Sequence, residues 1–98
     1  MQQTKELVMD QLTTVIDPEL YVSIVDLGLV YDVKILKTKT VVTMTLTSLG
    51  CPLFPVIEQD IQNALFKIGV KKAQIKLTFD PPWSMDRMSE RGKAILGI

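Results

Sequence analysis

The chain has 98 residues, with 11 lysines and arginines balanced by 11 aspartates and glutamates, a single cysteine and no histidine. That length predicts one domain, residues 1–98, with one small core that buries roughly 60–65% of the unfolded surface. The even charge supplies no overall field toward nucleic acid or acidic lipid, one thiol excludes an internal disulfide, and the missing histidine excludes Ser/His and Cys/His dyads and His-rich metal sites within one chain.

Neither a signal-peptide stretch nor an apolar run of membrane-spanning length is present, and a lone free thiol persists best in a reducing compartment, so a cytoplasmic protein is expected. Between Thr4 and Ile16 the apolar residues Val8, Leu12, Val15 and Ile16 fall on one face of an amphipathic helix. Asp17-Pro18 should stop it, because a residue before proline is pushed out of the helical region. A turn at Asp26-Leu27-Gly28 leads into a strand, Leu29 to Leu36, with Leu29, Tyr31, Val33 and Ile35 on one side and Asp32 and Lys34 on the other. Lys37-Thr38-Lys39 is a polar tip. The returning strand places Val42, Met44 and Leu46 inward and Thr43, Thr45 and Thr47 outward, completing a hairpin.

Pro55 suits the first turn of a second helix, in which Ile57, Ile61, Ala64, Leu65 and Ile68 recur at helical spacing before Gly69. A third strand, Ala73 to Phe79, ends at Asp80-Pro81-Pro82-Trp83. Ser84 and Ser89 are positioned to cap short helices, the last with an apolar side of Ala94, Ile95 and Leu96. The order α-β-β-α-β with short C-terminal helices predicts a two-layer α/β (α+β) fold, a mixed three-stranded sheet covered by helices on one face.

Cys51 lies in Thr47-Ser48-Leu49-Gly50-Cys51-Pro52, between a strand and a helix. A thiol just ahead of a helix N-terminus meets unpaired backbone N–H groups and the positive end of the helix dipole, which favour thiolate, a nucleophile or soft-metal ligand. A free cysteine serving as a small buried apolar residue is the competing reading. Asp17-Pro18-Glu19 holds two carboxylates beside a stiff proline, either as solvated charges at a helix stop or as part of a site. Trp83, fixed by two prolines, either covers the end of the core or walls the thiol. Thr47 adjoins the cysteine turn and could hydrogen-bond a ligand there. The lysines at the hairpin tip and before the third strand read as solvated edges that discourage strand addition, and without interleaved aromatics they do not make a nucleic-acid site.

The ordered segments Asp17-Pro18-Glu19-Leu20, Ser23 to Tyr31, Met44 to Pro52 and Asp80-Pro81-Pro82-Trp83 together resemble the SufT/PaaD-type family of metal-sulfur cluster assembly proteins, over nearly the whole chain. The resemblance implies a small α/β domain of the iron-sulfur assembly type and a non-enzymatic accessory role, moving iron or clusters to apo-proteins together with the assembly machinery. It implies that Cys51 is the reactive cysteine, that Asp17 and Glu19 belong to the Asp-Pro-Glu motif, and that Thr47, Asp80 and Trp83 fill the remaining motif positions. Phenylacetate-pathway relatives carry a further cysteine-rich tail that this sequence lacks, and Leu53-Phe54-Pro55 is bulkier than the small residues expected after the cysteine.

Iron-sulfur clusters usually take four ligands, and this chain offers one thiolate. Cys51 is therefore expected to act across a homodimer, or to share iron, persulfide or cluster transiently with a partner, with Asp17 or Glu19 completing a labile iron site; no stable cofactor is expected. Two further readings stay open. One is a thiol enzyme, and the other a non-catalytic interaction module in an oxygenase-maturation complex of the phenylacetate type. A KH-like RNA binder is excluded by the missing Gly-x-x-Gly loop.

Overall fold

A computed structural model describes residues 4–47 and 53–97. Its elements run α1 (Lys5–Leu12), β1 (Val30–Ile35), β2 (Thr40–Met44), α2 (Phe54–Phe66), β3 (Ala73–Leu77), a single 3₁₀ turn (Met85–Arg87) and α3 (Glu90–Leu96). The expected α-β-β-α-β order and mixed sheet are both present: β2 is central, antiparallel to β1 and parallel to β3. Val8 and Leu12 of α1 and Ile57, Ile61 and Leu65 of α2 are fully buried in one core with Val42 and Met44 of the sheet.

Thr4 caps α1, its hydroxyl oxygen accepting the Leu7 N–H at 3.1 Å. The helix stops at Leu12, four residues short of the expected end at Ile16. Thr13 and Thr14 turn their hydroxyls back onto the Met9 and Gln11 carbonyls at 2.9 and 2.6 Å, local bonds that compete with further helix. Val15 stays in the core. Ile16 does not: it is 44% exposed and forms an antiparallel bridge with Ser23.

The alternation expected for the first strand is interrupted. Val30 pairs with Met44 but Asp32 with Thr43, so Tyr31 is an extra residue, a β-bulge. Val30, which packs against the core, therefore takes the inward place that strict alternation assigned to Tyr31. Ile35, at the strand's far end, is 37% exposed.

In the second strand Val42, Met44 and Leu46 are inward as expected, but Thr45 is also fully buried. The strand ends at Met44, and Thr45 donates its N–H to the Leu29 carbonyl at 2.9 Å.

Pro55 stands in the first turn of α2, and Ile57, Ile61, Ala64 and Leu65 are its buried residues, at the expected helical spacing. β3 stops at Leu77, and both Leu77 and Phe79 are more than a third exposed at the sheet edge. Ser89 caps α3 through the Gly92 N–H at 3.0 Å, as its position suggested, whereas the Ser84 side chain makes no cap bond. The expected apolar face of α3 is not its docking face. Ala94 and Ile95 are exposed, and the helix seats itself through Gly92, with Leu96 against the core. No helix among the described residues is long and apolar enough to cross a membrane.

Candidate functional site

Residues 48–52, and Cys51 with them, lie outside the described residues. Thr47 is half-buried three residues beyond Met44, and Leu53 is the N-cap of α2. Among the described residues no side chain caps this helix start, and its first turn contains no acid, so its free N–H groups and dipole favour negative charge placed before it.

Parallel pairing brings a second motif to the same end of the sheet. Met44 pairs with Leu77, and the Thr78 N–H donates to the Met44 carbonyl at 2.8 Å. Thr47 and Asp80, each three residues past that pair, therefore leave the sheet at one end. Asp80 is exposed, joined to Pro81 by a cis peptide bond. Trp83 is half-buried against the core and donates its indole N–H to the Leu27 carbonyl at 2.6 Å. The hydroxyl of Thr45, two residues before Thr47, is buried without a partner among the described residues.

The Asp26-Leu27-Gly28 turn, which in the sequence is only a common tight turn, holds the whole C-terminal segment. The Asp26 carbonyl accepts the Ser89 N–H, and its carboxylate accepts the Ser89 hydroxyl, each at 2.8 Å. Arg91 Nε lies 3.5 Å from the other carboxylate oxygen. A Cβ on Gly92 would stand 2.7 Å from the Asp26 carbonyl oxygen, and one on Gly28 2.2 Å from that of Arg87. Tyr31 completes the seat, donating its hydroxyl to the Pro81 carbonyl at 2.8 Å while the Arg87 guanidinium lies 4.7 Å from its ring centroid.

The Asp-Pro-Glu motif forms the tip of a small loop. The Asp17 N–H donates to the Val22 carbonyl at 2.9 Å and the Ile24 N–H to the Val15 carbonyl at 3.0 Å. Asp17 is buried, and Oδ1 accepts the N–H groups of Glu19 and Leu20 at 2.8 and 3.0 Å. This carboxylate is engaged in shaping its own turn, whereas that of Glu19 is exposed.

Among the described residues, no hydrogen bond or ion pair joins Asp17 or Glu19 to Thr47, Asp80 or Trp83. No three Asp, Glu, His or Cys side chains among them converge as metal ligands. The structure thus brings Thr47, Asp80 and Trp83 to one sheet end and sets the Asp-Pro-Glu corner on a separate loop. Asp26, Gly28, Tyr31, Ser89 and Gly92 carry the seating of the tryptophan segment. Their only sequence signal was the Asp-x-Gly turn and the Ser89 cap, because the partners are some sixty positions apart, as the separation of 63 between Asp26 and Ser89 shows.

Trp83→Phe should remove the indole bond and lower stability by about 1 kcal/mol. Trp83→Ala should cost about 3 kcal/mol. Urea unfolding of both variants measures the two losses, and an alanine variant as stable as the parent would show that the ring covers nothing.

Comparison with known proteins agrees with this architecture. A family described as iron-sulfur cluster assembly protein matches residues 5–77. The chain is 48% identical to the Fe-S protein maturation auxiliary factor YitW of Bacillus subtilis, covering 96% of this chain and 94% of that one. It is 42% identical to the Fe-S protein maturation auxiliary factor SufT of Staphylococcus aureus, over 86% of this chain and 98% of the other. A crystal structure of a domain of unknown function from Bacillus anthracis superposes with a TM-score of 0.89 at 42% identity, covering 96% and 92% of the two chains.

Proposed function

Because the chain belongs to the iron-sulfur cluster assembly protein family, we propose that it is an accessory factor in the maturation of iron-sulfur proteins, holding iron or a cluster briefly as cargo through the Cys51 thiolate. The observation that carries this reading is the near full-length likeness to relatives named as maturation auxiliary factors. Two relatives named iron-sulfur cluster carrier proteins, of Synechocystis and Deinococcus radiodurans, match the chain with only 23% and 19% of their own lengths, and they point to the same kind of cargo.

The chemistry fits a carrier better than a turnover enzyme. One thiolate per chain leaves most of a cluster's coordination to be supplied by a second copy, a client apo-protein or the assembly machinery. A hold of that kind is weak enough to release. Of the two motif carboxylates, Glu19 is the freer to add a hard, labile oxygen ligand, since Asp17 Oδ1 already serves two backbone N–H groups. Thr47, Asp80 and Trp83 would border the thiol from the sheet end. The place of action would be the cytoplasm, where a free thiol stays reduced.

Anaerobic reconstitution with iron and sulfide tests this. The wild-type chain should gain visible absorption characteristic of thiolate-bound iron, at less than one cluster per chain, and lose it when an apo-acceptor is added. Native mass of the loaded species reports whether two chains share the cargo. No uptake by wild type, or equal uptake by Cys51→Ala, would remove the basis for the reading.

A further inference from the structure

The charges of this neutral chain are not mixed. Seven of its eleven basic residues, Lys34, Lys37, Lys39, Lys67, Lys71, Lys72 and Lys76, lie between positions 33 and 79, a stretch whose only acids are Glu58 and Asp60. The fold gathers six of them, Lys67 lining a separate pocket with Asp60. Because β2 and β3 are parallel, with Thr40 opposite Ala73, the β1–β2 hairpin tip and the α2–β3 connection meet at one end of the sheet. Lys37, Lys39, Lys71 and Lys72 line a shallow cleft between them. Lys34 and Lys76 continue the positive surface onto the sheet face, opposite Val41 and Thr43 of the central strand. Among the described residues no carboxylate pairs with any of the seven, the ion pairs being Lys5 with Asp32 and Arg91 with Asp26.

The lysines and threonines make most of this cleft's surface polar, with apolar side chains set among them. Ile35 and Leu36 line it and are 37% and 49% exposed, and no aromatic ring is among the lining residues. Exposed apolar side chains beside unpaired lysines suit a protein segment that carries both carboxylates and apolar groups, whereas a single-stranded nucleic acid would require rings on which bases stack.

We propose that this lysine-rimmed cleft docks an acidic protein segment bearing apolar side chains between its carboxylates. The cleft lies at the start of β2 and β3, and Thr47 and Asp80 leave the sheet at the opposite end. A partner bound there leaves the end from which Thr47 and Asp80 depart free to meet a second protein. Opposite charge guides encounter and sets orientation, while Ile35 and Leu36 supply the desolvated contact. This surface stands on charge and topology and does not depend on what Cys51 carries.

The test is an NMR titration of the full, isotope-labelled chain with a synthetic peptide of alternating glutamate and leucine. Polyglutamate of equal length and an oligothymidylate of equal charge serve as comparison probes. Amide shifts are expected at Leu36 to Thr40 and at Gly69 to Lys72, with affinity falling as salt is added. Both comparison probes should bind more weakly. The Lys37→Glu/Lys71→Glu pair should weaken peptide binding by about tenfold or more with an unchanged thermal melt, and Lys72→Glu alone provides the same check should the pair disturb folding. The proposal is overturned by shifts confined elsewhere or absent, by polyglutamate or oligothymidylate binding as tightly as the peptide, or by shifts at the cleft on concentrating the protein alone, which would make a second copy the occupant.

Discussion

Replacing Cys51 with alanine is expected to reduce the activity of iron-sulfur enzymes in cells to the level seen without the protein, while the melting temperature stays within about 3 °C of the parent. Both halves follow from the proposed thiolate role and from the position of Cys51 in the sequence. In the sequence Cys51 comes two residues before Leu53, the N-cap of a thirteen-residue helix, which offers no side-chain bond to the free N–H groups, and the proposed thiolate would use the negative-charge preference of such a helix start. Alkylation of the native protein distinguishes this from a packing cysteine. The wild-type thiol should react in the folded protein, and a thiol inert until unfolding would contradict it. Full support of iron-sulfur enzymes by the alanine variant would dispose of the carrier chemistry altogether.

Gly28→Ala is expected to be the most damaging small substitution in the described chain. Gly28 has φ of +77°, a conformation L residues adopt at a cost of roughly 1–2 kcal/mol. The added methyl would also sit 2.2 Å from the Arg87 carbonyl oxygen and 2.7 Å from its carbon. Those are backbone atoms, so relief requires the segment after β3 to move, which breaks the Trp83 bond to Leu27 and the Tyr31 bond to Pro81. A loss of about 3 kcal/mol or more, and a melting temperature lowered by more than about 10 °C, should result. Trp83 is the single tryptophan, so its emission should shift to the red as it leaves its half-buried seat. A melt and an emission spectrum matching the parent would mean that the turn does not anchor this segment.

Most of the architecture was legible because it rests on periodicity. Val8 with Leu12, Ile57 with Ile61 and Leu65, and Val42 with Met44 are spaced as helix and strand require, and each of them is buried. The departures occur where local hydroxyls or distant partners override the pattern. Thr13 and Thr14 end α1 early, the extra residue at Tyr31 shifts the inward side of β1, and Thr45 is buried on what the alternation marks as a solvent face. At the site, the motif residues were recognisable in the chain, but their division of labour was not. That Asp17 shapes its own loop, and that Asp26 rather than Asp17 grips the C-terminal segment, depends on hydrogen bonds that no spacing announces.

The extra residue in β1 has a bearing on self-association. β1 is an outer strand, and a regular outer strand presents evenly spaced amide and carbonyl groups onto which a foreign extended chain could add. The irregularity at Tyr31 breaks that spacing near the start of the strand. The same ring is occupied beneath Arg87 and tethered to Pro81, so it is not presented to a neighbour. One flank of the sheet is thereby a poor template for fibril growth.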